Sequence, residues 1–280
     1  MTYSAEISRA NPTCFLFLVD QSGSMAENFG VAPGKSKAEG VAEAVNRLLQ
    51  TLVARCAKGQ HILERYYVGV IGYGGGVRLG FSIDALAGDV FQPISRIGAS
   101  PLRIENRVHR LPDGAGGWRD QTIMFPIWFE PKAQGKTPMC AALRAGRDLL
   151  GGFLGRYPAC FPPIVINITD GLATDGAFEP EALALRSLAS GDGNVLLFNI
   201  HLSARGQKPI LFPSRDLDLS DDYARRLFSM SSPLPPQMLY QARIQEATLA
   251  EGARGFAFNA DLTSLVMFLD IGTRVGIGPC

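Results

Sequence analysis

Two carboxylates and three hydroxyls stand at positions where they could share one metal ion. Asp20, Ser22 and Ser24 alternate directly after an apolar run, and in extended chain residues two apart point to the same side. Asp170 ends a second apolar run, and Thr137 lies in a loop just before a predicted helix. Hard oxygen ligands of this kind suit Mg²⁺, Ca²⁺ or Mn²⁺ and not zinc. Three separate segments are therefore expected to build one divalent-cation site.

The elements around these residues alternate between strands and helices. Continuous apolar runs predict buried strands, and apolar positions at helical spacing predict helices. This alternation predicts an α/β fold with a doubly wound, mostly parallel central sheet, helices on both faces and one short antiparallel edge strand. Such sheets place ligand sites at the carboxyl ends of their strands. The predicted strands are 13–19, 66–73, 77–81 (the edge strand), 163–169, 194–201 and 255–258, and the predicted helices are 36–56, 139–154, 180–189, 236–250 and 262–273.

Two stretches interrupt the regular alternation. Residues 82–119 are rich in glycine and proline, with an exposed turn at 111–117, and residues 121–130 return to apolar and aromatic character. Residues 203–232 form a long polar connection with a candidate helix at 221–228. We interpret the chain as a single domain over 12–275, with an elaboration at about 82–130 and a long connection at about 203–232.

Composition excludes several classes of protein. In 280 residues, 27 Lys and Arg stand against 26 Asp and Glu, so the net charge of +1 gives no basic surface for a nucleic acid and no polybasic membrane anchor. The five scattered cysteines are expected to be reduced thiols, and the three distant histidines show no zinc spacing. The N-terminus lacks the features of a secretory signal, and no apolar run could span a membrane. We expect a cytoplasmic protein.

The candidate ligands occur in an order that resembles a known family. Asp20-x-Ser22-x-Ser24 after an apolar strand, a loop Gly-x-Thr137-Pro-Met, and a later strand ending Thr-Asp170-Gly are similar to the metal-ion-dependent adhesion site (MIDAS) of von Willebrand factor type A (vWA) domains. The resemblance extends from about residue 12 to 273. It implies that the two serines and the threonine bind the metal directly or nearly so, while the two aspartates often act through water.

The resemblance also implies a function without catalysis. A cation held mostly by hydroxyls and water favours one more anionic oxygen, which an Asp or Glu of a partner protein can supply. The chain looks like the intracellular bacterial (TerY-like) members of stress-response, tellurite-resistance or defence systems, whose partners include AAA+ ATPases, kinases and phosphatases. Mg²⁺ is the expected cation, ahead of Ca²⁺ and Mn²⁺. Lys136, beside Thr137, departs from the family pattern, and could repel the metal or help to receive an acidic partner.

Two other functions remain open from the sequence. A metal-dependent hydrolase or phosphotransferase could use Asp20 as its nucleophile, although position 22 is Ser where such enzymes usually have a second carboxylate. Alternatively, the chain is a scaffold whose site stays empty. The role of Asp175 also remains open from the sequence. It could be an outer carboxylate of the metal site or part of a simple loop turn.

Overall fold

The structure is a computed structural model that describes residues 3–29, 34–112, 117–202, 208–217, 219, 222–245 and 249–273. The strands in these residues are β1 (Thr13–Asp20), β2 (Ala57–Lys58), β3 (His61–Ile62), β4 (Tyr66–Tyr73), β5 (Val77–Leu79), β6 (Gln92–Pro93), β7 (Arg103–Pro112), β8 (Trp118–Ile127), β9 (Ile164–Thr169), β10 (Leu196–Leu202), β11 (Ile210–Leu211) and β12 (Phe256–Ala260). The α-helices are α1 (Lys37–Cys56), α2 (Ile94–Ala99), α3 (Met139–Arg156), α4 (Glu179–Arg186), α5 (Asp222–Met230), α6 (Pro236–Gln245) and α7 (Leu262–Gly272), and short 3₁₀ helices span Gly23–Ala26 and Asp84–Leu86.

The central sheet confirms the predicted fold class. Its strand order is β11-β12-β10-β9-β1-β4-β5, with β6 also paired to β4. Strands β1, β4, β9, β10 and β12 run parallel, and β5 is the predicted antiparallel edge strand. The short strands β6 and β11, which the sequence analysis did not predict, are also antiparallel to their neighbours. The sheet is therefore mostly parallel, as expected.

Strand β1 is buried on both of its faces, as a continuous apolar run predicts. Phe15 and Phe17 pack in the core on the side of α1 and α7, whereas Leu16 and Leu18 pack in the core on the side of α3. Successive side chains of a strand point to opposite faces, so one run of sequence serves two hydrophobic cores. Helices cover both faces of the sheet, as expected.

Helix α1 begins where its capping residues predict. Glu39 N donates to Ser36 Oγ at 3.2 Å, and Ser36 N donates to Glu39 Oε2 at 2.7 Å. These reciprocal bonds satisfy backbone donors that the first helical turn leaves without partners. The cap therefore fixes the start of α1 next to the loop that follows β1.

The 82–130 elaboration is more regular than the sequence analysis indicated. Strands β7 and β8 form a two-stranded antiparallel hairpin of ten residues each, in a sheet of its own. Part of the predicted turn, residues 113–116, lies outside the described residues. Asn46 of α1 holds the base of the hairpin, because its Oδ1 accepts from Trp128 N at 2.8 Å and Phe129 N at 3.0 Å while its Nδ2 donates to Phe129 O at 2.8 Å.

Several smaller expectations can be compared with the described residues. Strand β11 and helix α5 lie within the predicted 203–232 connection, of which residues 203–207, 218, 220 and 221 are outside the described part. The thiols of Cys14, Cys56, Cys140 and Cys160 are buried and free, and Cys280 is outside the described part. No helix of the described ranges is both long enough and apolar enough to cross a bilayer.

Candidate metal centre

Two parallel strands bring the two candidate carboxylates to one edge of the sheet. Strands β1 and β9 are neighbours, with Val19 opposite Ile168, so Asp20 and Asp170 follow at the same carboxyl end. Asp20 is 1% exposed, and the side chain of Asp170 is 0% exposed. Buried carboxylates need hydrogen-bond donors or cations close by, because burial removes them from water. The surroundings of both residues supply such groups.

Asp20 is held by hydrogen bonds to both of its oxygens. Its Oδ1 accepts from Ser22 N at 2.8 Å, and its Oδ2 accepts from Thr169 Oγ1 at 2.8 Å. Burial raises the pKa of Asp20 from 3.8 to about 6, although the hydrogen bonds from Ser22 and Thr169 favour the charged form. Asp20 is thus a fixed carboxylate at the turn that leaves β1.

The two serines connect the first loop to the end of β9. Ser24 Oγ donates to Asp170 Oδ1 at 2.8 Å, and Ser22 Oγ lies 3.1 Å from Ser24 Oγ. These bonds join residues that are 146 positions apart in the chain. The structure therefore brings Asp20, Ser22, Ser24 and Asp170 together, as the sequence predicts.

Thr137 reaches the same edge through the backbone of its loop. Thr137 N donates to Thr174 Oγ1 at 3.0 Å, and Thr174 N donates to Thr137 O at 2.9 Å. On the other side, Gly23 N donates to Gly135 O at 3.0 Å. The loop that carries Thr137 thus lies between the loops after β1 and β9, and Thr137 itself is buried.

Two glycines allow these loops to approach so closely. Gly135 has a φ of +81°, a conformation that residues with a Cβ rarely adopt, and a Cβ there would lie 2.5 Å from Gly75 Cα. A Cβ on Gly74 would lie 2.5 Å from Gln21 O and 2.8 Å from Gln134 O. The glycine turn after β4 is therefore part of the packing behind the candidate site.

Asp175 caps a helix. Its two carboxylate oxygens accept from Cys140 N at 3.1 Å and Ala141 N at 2.8 Å, which are backbone donors in the first turn of α3. An anion at this end of a helix is favourable, because the donors there lack intrahelical partners and the helix dipole is positive. Asp175 thereby fixes the loop after β9 against the helix that follows Thr137.

Sequence reasoning missed a cation that contacts Asp170. Lys37 Nζ lies 2.8 Å from Asp170 Oδ2 and 2.8 Å from Glu27 Oε2, and the Lys37 side chain is 5% exposed. Burial lowers the pKa of Lys37, but its bonds to the two carboxylates outweigh this and raise it overall, while Lys37 lowers the pKa of Glu27. The overlooked signal was a lysine in the first turn of α1, where the helix dipole disfavours positive charge.

A row of buried polar side chains below the site was also missed. Tyr73 OH donates to Asn167 Oδ1 at 2.7 Å, Asn167 Nδ2 donates to Asn199 Oδ1 at 3.0 Å, and Asn199 Nδ2 lies 3.0 Å from Ser231 Oγ. The row crosses β4, β9 and β10, and it starts from the last residue of β4. An asparagine within each of two apolar runs was the available sequence signal.

The chemistry of the donor set fits a hard divalent cation. In the part of the chain that the structure describes, no group of three or more His, Cys, Asp or Glu side chains is placed to hold a metal. The candidate set instead combines two carboxylates with three hydroxyls. Lys37 already places one positive charge on Asp170. When all are ionised, Asp20, Asp170 and Glu27 carry three negative charges and Lys37 carries one positive charge. The remaining double negative charge equals the charge that one Mg²⁺ would neutralise.

Comparison with known proteins gives structural likeness alone. No protein-family model matches the chain, and no curated protein matches its sequence. Among solved structures, proximal thread matrix protein 1 from the mussel byssus is 16% identical with a TM-score of 0.48, over 96% of this chain and 48% of that one. The ArnB paralog VWA2 from Sulfolobus acidocaldarius is 13% identical with a TM-score of 0.36, over 72% of this chain and 37% of that one.

A third solved structure is the vWF domain of the type V pili tip protein Mfa5 from Porphyromonas gingivalis. It is 12% identical with a TM-score of 0.33, over 58% of this chain and 39% of that one. The structural neighbours thus include vWA and vWF domain proteins, and this chain spans less than half the length of each of the three. At these identities and TM-scores, the likeness carries no activity, ligand or partner to this chain.

Proposed function

We propose that the chain is a metal-dependent protein-binding module of the vWA type, which engages an acidic residue of a partner protein through a divalent cation. The observation that carries this proposal is the hydrogen-bonded set at the carboxyl edge, in which Ser24 joins Ser22 to Asp170. Asp20, Ser22, Ser24, Thr137 and Asp170 would hold the cation. When bound, Mg²⁺ would supply a positive centre that attracts a carboxylate of the partner.

The residues of this chain would prepare the site in distinct ways. Asp20 orients the loop through Ser22 N, and Ser24 keeps two hydroxyls beside Asp170. Lys136 is exposed next to the buried Thr137, which places a positive charge where an acidic partner would approach. This arrangement supports an acidic partner, and the resemblance points to an AAA+ ATPase, a kinase or a phosphatase of a bacterial stress-response, tellurite-resistance or defence system.

The geometry at Asp20 favours binding over hydrolysis. A nucleophilic carboxylate must be reached by its substrate, whereas Asp20 is only 1% exposed. We therefore propose a function without catalytic turnover, in which Asp20 positions the loop after β1.

Titration of the chelator-treated protein with Mg²⁺ in a calorimeter tests the cation site. We expect the wild type to bind one Mg²⁺ and Ser24→Ala to bind it at least tenfold more weakly, because that variant loses the hydroxyl beside Asp170. Ser95→Ala, which removes a hydroxyl from α2 that bonds to Glu64, is the matched control and should leave the affinity unchanged. Equal affinities for the wild type and Ser24→Ala would exclude these ligands.

The partner is sought by affinity capture from the source cell in Mg²⁺, in chelator, and with Asp20→Ala. Under the proposal, the same proteins disappear in the last two conditions, and replacing an Asp or Glu of the captured protein by Asn or Gln abolishes its binding. Capture that is insensitive to chelator would contradict the proposal. Metal-dependent hydrolysis of phosphate esters that vanishes in Asp20→Ala would support the enzyme instead.

A further inference from the structure

The ion pair between Lys37 and Asp170 is the least expected feature of the candidate site. Both side chains are almost completely buried, at 5% and 0% exposed, and their charged atoms lie 2.8 Å apart. Asp170 Oδ1 accepts from Ser24 Oγ, so the carboxylate has one oxygen on a candidate ligand and the other on the ammonium. The fold thus supplies its own cation to a carboxylate of the candidate metal set.

The backbone of α1 fixes where this ammonium lies. Lys37 is the first residue of α1, directly after the Ser36 cap, and its N donates to Glu27 O at 2.9 Å. Glu27 also binds Lys37 Nζ, but the Glu27 side chain is 62% exposed. The Lys37 ammonium therefore lies between the buried inner carboxylate of Asp170 and the outer carboxylate of Glu27 at the surface.

Two positive charges on one carboxylate repel each other strongly at this depth. Coulomb energies grow as the effective dielectric constant falls, and a buried pair is screened much less than a surface pair. A divalent cation held by Ser24 and Asp170 would be close to the Lys37 ammonium. The ammonium would also withdraw negative charge from Asp170, which leaves a bound cation more attractive to a carboxylate from outside.

We propose that Lys37 is a tethered counter-ion that weakens metal binding at this site, and that the outer carboxylate Glu27 moderates its effect by sharing the ammonium. This inference rests on the proposed function, because it sets the affinity of the same site. Lys37 thereby raises the free Mg²⁺ concentration at which the site becomes occupied, because it neutralises part of the charge of Asp170. Lys37 is a positioning and affinity-determining residue of the site.

The test measures Mg²⁺ affinity by calorimetry in Lys37→Met, which keeps an unbranched side chain one atom shorter and removes its charge. We expect at least tenfold tighter binding than in the wild type. Lys35→Met is the matched control, since it makes the same change of charge two residues away on a side chain that is 51% exposed and pairs with Glu43. Its affinity should stay within about twofold of the wild type.

Lys37→Met leaves Asp170 without its buried counter-ion, so its stability is followed in the same samples. In chelator we expect a lower melting temperature than in the wild type, and on addition of Mg²⁺ a larger rise than in the wild type. Glu27→Gln provides a second variant without a cavity or a buried unpaired charge. It leaves the Lys37 charge less compensated, so Mg²⁺ binding should become several-fold weaker, opposite in sign to Lys37→Met.

The outcomes separate this inference from the proposed function. If the wild type binds Mg²⁺ and Lys37→Met binds it equally or more weakly, the counter-ion inference is wrong and the metal site stands. If Lys37→Met binds Mg²⁺ and the wild type does not, the inference holds and the proposed metal-dependent function fails. If neither binds Mg²⁺, both proposals fail. Should Lys37→Met not fold, a Glu27→Gln affinity equal to that of the wild type overturns the inference.

Discussion

The carboxyl edge and the β7–β8 hairpin are both rich in polar residues, but they use them in opposite ways. At the edge, buried groups from distant parts of the chain bind one another, as Ser24 and Asp170 do across 146 positions. In the hairpin the pairing is local, from Arg103 opposite Ile127 to Pro112 opposite Trp118. The first arrangement exists only when the sheet is formed, whereas the backbone pairing of the second lies within its own two strands, which Asn46 anchors to α1 at one end.

The two regions also differ in how far their charged side chains are exposed to solvent. The Lys37–Asp170 pair is buried, whereas the cross-strand Arg110–Asp120 pair of the hairpin is 77% and 63% exposed. A buried charge that loses its partner cannot be rescued by water, and an exposed one can. We therefore expect polar side chains of the same types to stabilise the fold at the edge and to contribute little in the hairpin.

The largest expected effect compares the same substitution in the two regions. Asp170→Asn leaves the Lys37 ammonium without its inner carboxylate, so we expect the free energy of unfolding in chelator to fall by about 3 kcal/mol. Asp120→Asn should change it by less than about 0.5 kcal/mol, because the pair it breaks is exposed to solvent. Urea denaturation measures both. Equal losses would show that burial does not distinguish the regions.

The second effect depends on pH. Burial raises the pKa of Asp20 from 3.8 to about 6, so between these pH values the folded protein binds a proton that the unfolded chain releases. The free energy of unfolding in chelator should therefore fall by about 2 kcal/mol as the pH rises from about 4 to above 6. Asp20→Asn should remove this decline, and Asp120→Asn should retain it. A decline of the same size in Asp20→Asn would assign it to other groups.

The third effect tests the close approach of the loops behind the edge. Gly74→Ala places a Cβ against the backbone oxygens of Gln21 and Gln134, so we expect a loss of about 1.5 kcal/mol. At Gly75 a Cβ would meet no atom within 4 Å, so Gly75→Ala is the adjacent control and should cost less. Thermal unfolding of the two variants measures the difference. A larger loss at Gly75 would contradict this packing.

The smallest effect is expected on the outer face of the hairpin. Trp118 is 67% exposed, and Ile104, Val108 and Met124 on the same face are exposed as well. Trp118→Ser should change the free energy of unfolding by less than about 0.5 kcal/mol, because the ring buries little surface. Urea denaturation beside the wild type measures it, and a loss above about 1 kcal/mol would mean that the ring is packed in solution.

The sequence predicts the central sheet well because its signal is strong there. The strand predicted at 66–73 has the same bounds as β4, and α1 begins after the predicted cap at Ser36. Long apolar runs and apolar residues at helical spacing are reliable signals, because positions that are buried in the folded protein require apolar side chains. Helix α2 was missed, since its six residues are too few to show a period.

The hairpin was missed because the alternation of its first strand, β7, is reversed. Its apolar residues Ile104 and Val108 point to solvent, whereas Arg107 points inward and lies over the ring of Phe125 at 3.7 Å. Arg107 is also paired with Glu105 at 3.0 Å. On β8 the inner face is apolar, since Phe125 and Ile127 are buried, but the inner face of β7 carries these paired charges, so β7 gives no buried apolar stripe that a hydrophobic pattern could find.

At the candidate site, the sequence predicts which residues meet but not what else meets them. Asp20, Ser22, Ser24 and Asp170 follow from strand ends, because parallel neighbouring strands share an edge. Lys37 and Glu27 come from the loop and helix between those strands, and nothing in their spacing indicates that they lie beside Asp170. Such contacts depend on where α1 is docked, which only the assembled core decides.

Helix α1 links the two regions that differ so much. Lys37 in its first turn contacts Asp170, and Asn46 holds the backbone at the root of the hairpin. These residues are nine positions apart, or about 14 Å along the axis. An α-helix is stiff over that length. A displacement of its first turn away from Asp170 would therefore also displace Asn46 and the backbone of Trp128 and Phe129, to which Asn46 is bonded. Helix α1 is therefore a direct structural connection between the buried Lys37–Asp170 pair and the exposed hairpin.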